Sequence, residues 1–170
     1  MIGRPQATET AEYYFLYINQ VSSENPLAAI ESQLDDALAL FSDIPEEKSL
    51  HRYAAGKWSI RQVVNHISDT ERSFAFRAFW FARGFDSPLP SFDQNTAAAG
   101  AAVDEISLSS HVEEFRRVRL STISLFRNMP ANAWMRSGIA SEKPFTVRSI
   151  AFIIAGHAEH HLKILRERYL

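Results

Sequence analysis

The chain has 170 residues and no cysteine, which allows one domain with a real core and excludes a disulfide framework, a thiolate ligand and a thiol nucleophile. Hydrophobic residues make up 46% and charged residues 22%, a balance that excludes a disordered chain. The formal net charge of −2 gives no reason to expect nucleic acid or an anionic membrane as a partner.

The start, Met1-Ile2-Gly3-Arg4-Pro5-Gln6, lacks the basic-then-apolar layout of a secretory signal. The apolar run Tyr13 to Ile18 is too short to span a bilayer. A cytoplasmic chain is expected. Residues 8–22 predict a short aromatic-rich helix capped by Thr8. The first long helix is expected over 25–42, with Asn25 as N-cap, Pro26 in the first turn, and Leu27, Ile30, Leu34, Leu38 and Phe41 at helical spacing. The second starts at Ser59, where Ser59 and Gln62 have capping-box spacing and Trp58 can staple onto Val63. Its apolar stripe is Ile60, Val63, Ile67, Phe74, Ala78 and Phe81, and it ends near Arg83.

Residues 84–108 read as a long connection, broken early by Pro88 and Pro90. The third long helix is expected over 109–128, with Val112, Phe115, Val118, Thr122 and Leu125 inward, and the fourth from Thr146. Strict alternation is rare and hairpin dipeptides such as Asn-Gly are missing, so no strands are expected. The whole chain, 1–170, therefore predicts a single all-α domain, a four-helix bundle. The connection of about 25 residues between the second and third long helices is long enough to travel back along the bundle. That predicts an up-down-down-up order with the second and fourth helices antiparallel.

Three histidines carry the functional signal. His157 and His161 sit at i and i+4 on the apolar stripe of the fourth helix, so their rings share one side. His66 lies on the second helix, roughly 10 Å from its start, and His161 lies roughly 13 Å from the chain end. In an up-down-down-up bundle those depths match. In an up-down-up-down bundle His157 and His161 would sit roughly 16 and 22 Å down, a poorer match. Three converging neutral imidazoles make an open metal site, which suits zinc, nickel, copper or iron. The opposing reading is three ordinary helix histidines. His160 points to the flank, and His51 and His111 read as surface or loop residues.

Around them, Asp69 is three residues past His66 and could orient a histidine, or lie on the surface. Glu71 falls on an otherwise apolar stripe and needs a partner, with Arg77, Arg72 or an imidazole in reach. It reads as a general base or, preferably, a structural ion pair. Asp93 and Gln94 sit in a loop that could cover the site mouth, or form a plain turn. Tyr13, Tyr14 and Tyr17 could wall a pocket or pack the core.

The stretches Gly56-Lys57-Trp58-Ser59-Ile60-Arg61 leading to His66, Asp69-Thr70-Glu71-Arg72, Arg77, Pro88-Leu89-Pro90-Ser91-Phe92-Asp93-Gln94-Asn95 and Gly156-His157-Ala158-Glu159-His160-His161 together resemble the DinB-like (DinB/YfiT) superfamily of metal-dependent enzymes. The resemblance runs from about Tyr13 to the C-terminus. It implies an up-down-down-up four-helix bundle and a divalent metal, typically nickel or zinc, bound by His66, His157 and His161. It also implies a hydrolase or a transferase that uses a low-molecular-weight thiol, acting on a small molecule. On this reading Glu71 and Asp69 are catalytic candidates, and Tyr17, Arg77, Asp93 and Gln94 are substrate-binding candidates. Two other functions use the same chain: a metal-stabilised, non-catalytic stress-response or binding module, and a metal-free helical interaction protein. A homodimer is consistent with exposed apolar residues on several helices.

Overall fold

The computed structural model of the chain describes residues 2–170. Four long helices form a bundle: α2 (Pro26–Ser42), α3 (Ile60–Ala82), α5 (Leu108–Arg127) and α6 (Val147–Ile164). Two short helices, α1 (Phe15–Ile18) and α4 (Gln94–Gly100), and one hairpin, β1 (Ser137–Ala140) and β2 (Lys143–Thr146), complete it.

The long helices start where their caps dictate. The Asn25 side chain accepts hydrogen bonds from the amides of Leu27 and Ala28, and Pro26 fills the first turn. Ser59 and Gln62 form the reciprocal capping box at α3, and Thr146 and Ser149 do the same at α6. Ser107, two residues before the expected start, caps α5 through the amide of Ser110.

Three expectations need correction. Residues 8–22 do not form one helix: a 3-10 turn (Glu12–Tyr14) leads into the single-turn α1, and Ala11 rather than Thr8 precedes it. Thr10 instead bridges to Phe145, so the segment is held by the hairpin. The connection after α3 contains α4, whose N-terminus Asp93 caps by accepting from the Thr96 amide at 2.6 Å. The chain is not purely helical. β1 and β2 pair antiparallel with Ser137 opposite Thr146. Their two-residue turn, Ser141 and Glu142, has φ of +52° and +60°, the left-handed pair a tight hairpin requires. Neither residue type favours that region, which is why the sequence carries no turn signal.

Hydrogen bonds fix which helix ends meet. Arg61 near the start of α3 donates to the Asp104 carbonyl at 2.7 Å, just before α5. Glu46, just past α2, accepts from the Leu108 amide at 3.0 Å and from Arg61. The Tyr169 hydroxyl donates to the Trp58 carbonyl at 2.8 Å, bringing the chain end to the start of α3. The core splits into two clusters, one around Phe81, Phe126, Phe145 and Phe152, the other around Phe41, Val63, Phe115 and Leu162. Between them lies a layer of buried polar residues from all four long helices: Gln33, Thr70 and Glu71, Arg119 and Thr122, and His157.

The N-terminal segment is tied to the start of α6. Glu9 accepts from the Thr146 hydroxyl at 2.7 Å and from Arg148 Nε at 2.9 Å, with a second contact to Arg148 Nη2. Arg4 donates to the carbonyls of Ile18 and Val21 at 2.9 and 2.7 Å. These contacts press α1 against α6, and Gly156 makes room. A Cβ at that position would lie 2.0 Å from the Tyr17 carbonyl oxygen.

Candidate metal centre

The three histidines meet at the centre of the bundle. One ring nitrogen from each of His66, His157 and His161 lies within 4.8 Å of the others, and among the described residues no fourth histidine, aspartate or glutamate joins them. His66 Nε2 and His157 Nε2 are 3.0 Å apart. The ring centroids of His161 lie 4.8 Å from His66 and 4.5 Å from His157. His66 and His157 are each 5% exposed, so the rings have little water to share a charge with.

Burial decides their protonation. It pulls His66 down to about 4 from an ordinary 6.5. Burial, then the neighbouring His66 and His160, pull His161 to about 3. Burial also holds His157 well below its usual range, helped by His161, His66, His160 and the Arg119 charge. All three are therefore neutral at physiological pH, the form that ligates a metal. Imidazole nitrogens about 2.1 Å from a tetrahedral zinc stand about 3.4 Å apart; the His66–His157 pair stands at 3.0 Å and all three lie within 4.8 Å of one another. The donor set fits a divalent cation of the zinc, nickel, copper or iron type.

The groups around the triad differ from those expected. Thr70, one turn past His66, places its hydroxyl 3.3 Å from His66 Nδ1. In the tautomer that leaves Nε2 unprotonated, Nδ1 donates to that oxygen and fixes the ring. The i+4 spacing from His66 was its sequence signal. Trp58 covers the His66 ring at 4.7 Å between centroids, and Tyr17 meets His157 edge-on at 5.2 Å. Asp69 touches no histidine. It accepts from Asn65 at 2.8 Å and pairs with Arg72 at 3.1 Å. Among the described residues no carboxylate hydrogen-bonds any of the three rings.

Glu71 is buried, and its partner is none of those within sequence reach. Arg119 of α5 places Nε 3.0 Å and Nη2 2.8 Å from Glu71 Oε2, only the first aligned as a hydrogen bond. Arg119 Nη1 also donates to Gln33 Oε1 at 3.1 Å, and Gln33 in turn donates to the Ala155 carbonyl at 2.9 Å. His111 is 1% exposed rather than a surface residue. Its Nε2 lies 2.9 Å from the Val103 carbonyl, pinning the turn that precedes α5.

A cavity of about 270 Å³ opens on the centre. Its lining includes His66, His157 and Thr70 together with Tyr17, Arg77, Asp93 and Gln94. His161 lines a second cavity of about 210 Å³, with Tyr53, Trp58, Val63 and Tyr169.

A helical bundle whose middle layer gathers three neutral imidazoles beside an open cavity defines a class: bundle proteins with a three-histidine metal centre. The sequence model of the DinB superfamily matches residues 29–165, and the chain belongs to that family. Among solved structures it is similar to YfiT from Bacillus subtilis, a probable metal-dependent hydrolase with an unusual four-helix bundle topology. The match has 16% identity and a TM-score of 0.70, and covers 96% of this chain and 89% of that one. At that identity the likeness shows the fold alone. No curated protein matches the chain. Among the described residues no helix is long and apolar enough to cross a membrane.

Proposed function

We propose that this chain is a metal-dependent enzyme, a hydrolase or a transferase using a low-molecular-weight thiol, that acts on a small molecule at His66, His157 and His161. The observation that carries the reading is the convergence of three neutral imidazoles, without a fourth protein ligand among the described residues, two of them (His66 and His157) on the wall of an open cavity. The name carried by YfiT points the same way.

A divalent cation, nickel or zinc as the family resemblance implies, would supply Lewis acidity there and lower the pKa of a water or thiol. The chain's own residues prepare the place. Thr70 sets the His66 ring, Trp58 and Tyr17 shield the imidazoles from bulk water, and the cavity admits the substrate. In this reading Glu71 holds the buried polar layer together and Asp69 ties the α3 surface to Arg72, rather than either moving protons, since each is engaged by an arginine. The end-to-end contacts of α3 with α5 and of α3 with the chain end support an up-down-down-up helix order, with the long crossover between α3 and α5.

The test is elemental analysis of untagged protein purified without chelator, beside His66→Ala and His157→Ala. We expect about one equivalent of metal, lost in both variants while their far-ultraviolet circular dichroism is kept. Protein that carries no metal and takes up neither nickel nor zinc would overturn the reading. Ester hydrolysis with and without added thiol then separates hydrolase from transferase.

A further inference from the structure

Among the described residues Arg77 is the only permanent cation in the lining of the cavity that opens on the histidines. It sits on α3 three turns beyond His66 and on the same face, about 16 Å along the axis. Helical side chains lean toward the N-terminus, so Arg77 reaches back toward the histidines. It is 4% exposed. Yet among the described residues no carboxylate lies within 4.0 Å of it. The other deeply placed arginines behave differently: Arg119 has Glu71 and Arg148 has Glu9.

The Arg77 guanidinium is held firmly without being neutralised. Nη2 donates to the Ser141 hydroxyl at 3.0 Å and the Pro90 carbonyl at 3.2 Å. The guanidinium carbon lies 5.0 Å from the Phe74 ring and 5.8 Å from the Phe145 ring. Among the described residues the remaining polar neighbour of the guanidinium is the Tyr14 phenol, which carries no charge. Aromatic faces and neutral acceptors attract a cation but leave its charge uncompensated, and guanidinium does not lose its proton. Burial, before any effect of the arginine, keeps the neighbouring Tyr14 phenol protonated, so no phenolate supplies the missing charge. Asp93 shares the lining, but its carboxylate is committed to capping α4.

We propose that the cavity takes a carboxylate-bearing small molecule, its carboxylate received by the guanidinium of Arg77 and its other end presented to the histidines. The second half of that statement rests on the metal-dependent reading above; the first does not. A single guanidinium balances one negative charge. A phosphate dianion would leave a surplus in a cavity that already holds Asp93, which favours a monoanion. The volume of about 270 Å³ suits a small organic acid rather than a polymer end.

The experiment compares hexanoate with hexanamide, its neutral isostere, by calorimetry on the protein as purified and on Arg77→Gln, Arg77→Lys and His157→Ala. We expect hexanoate to bind at least about ten-fold more tightly than hexanamide, a charged contact worth about 1.4 kcal/mol or more. Arg77→Gln should erase that preference, Arg77→Lys should keep part of it, and His157→Ala should keep it while losing metal. Equal binding of acid and amide by the unaltered protein, no binding of hexanoate, or a preference that survives Arg77→Gln would each overturn the inference. Displacement of hexanoate by equimolar inorganic phosphate would overturn the carboxylate assignment. An Arg77-dependent preference in protein that holds no metal would leave the anion site standing and remove the metal-dependent reading. If Arg77→Gln does not fold, the acid-to-amide ratio in the unaltered protein and in Arg77→Lys still decides.

Discussion

The middle layer of the bundle contains two buried polar clusters with opposite logic. On one side Arg119, Glu71 and Gln33 tie α2, α3 and α5 together as a charge-matched network, in which Glu71 Oε1 and Arg119 Nη2 keep no hydrogen-bond partner among the described residues. On the other, His66, His157 and His161 bring α3 and α6 together as three neutral rings, with one nitrogen of each within 4.8 Å of the others and His66 Nε2 3.0 Å from His157 Nε2. The first cluster keeps its charge and matches it. The second sheds its charge and gathers three ring nitrogens with no counter-charge among them. Both kinds of group are costly to bury, and each cluster avoids the cost in the only way its chemistry allows. An ion pair supplies its own counter-charge, whereas converging neutral imidazoles offer a donor set that fits a divalent cation. The difference separates structure from function within one layer.

The largest expected effect breaks the matched side. Arg119→Ala strands a buried carboxylate and should cost about 3–5 kcal/mol in urea denaturation. Replacing both partners, Glu71→Leu with Arg119→Met, should recover most of it. His157→Ala strands no charge, so its metal-free form should lose less than Arg119→Ala. A larger loss at His157 would refute the contrast.

Next comes pH. The ordinary histidine value of 6.5 applies to the unfolded chain and about 4 to His66 in the fold. Between these, the unfolded chain binds the extra proton, so stability rises with pH across the window. Metal-free protein should therefore lose about 3 kcal/mol from His66 as pH falls from 6.5 to about 4, with no further loss from that group below. Denaturation midpoints flat across that range would mean the rings are not held neutral.

Gly156→Ala tests how the two sides are packed. The added methyl meets the Tyr17 backbone and should cost about 1–3 kcal/mol. For a domain of this size that is a fall of several degrees in Tm by calorimetry. The smallest effect is Thr70→Val. Loss of the oxygen at His66 Nδ1 should weaken metal affinity about ten-fold in a chelator competition, with little change in the metal-free unfolding curve.

How much of this was legible in the sequence depended on the range of the interaction. The long helices announce themselves through local caps and apolar periodicity, as Asn25, Ser59 and Thr146 show. The histidine pair is local too, at i and i+4, and the depth of His66 followed from helix rise alone. The Glu71 partner was not legible, because Arg119 lies 48 residues away and was reached only by the fold. His111 looked superficial because its burial comes from the Val103 turn folding over it. The hairpin was missed because Ser141 and Glu142 occupy left-handed positions that their side chains do not favour.

That turn sets stability against function. A hairpin designer would write Asn-Gly there, since an unfavourable left-handed residue costs about 1 kcal/mol. The chain instead keeps a hydroxyl at Ser141, and that oxygen is one of two acceptors steadying the unneutralised guanidinium of Arg77. Swapping in the better turn former would stiffen the hairpin and loosen the cation. The backbone strain at Ser141 is thus a trade-off written into the rim of the cavity, the kind a stability-guided redesign would erase first.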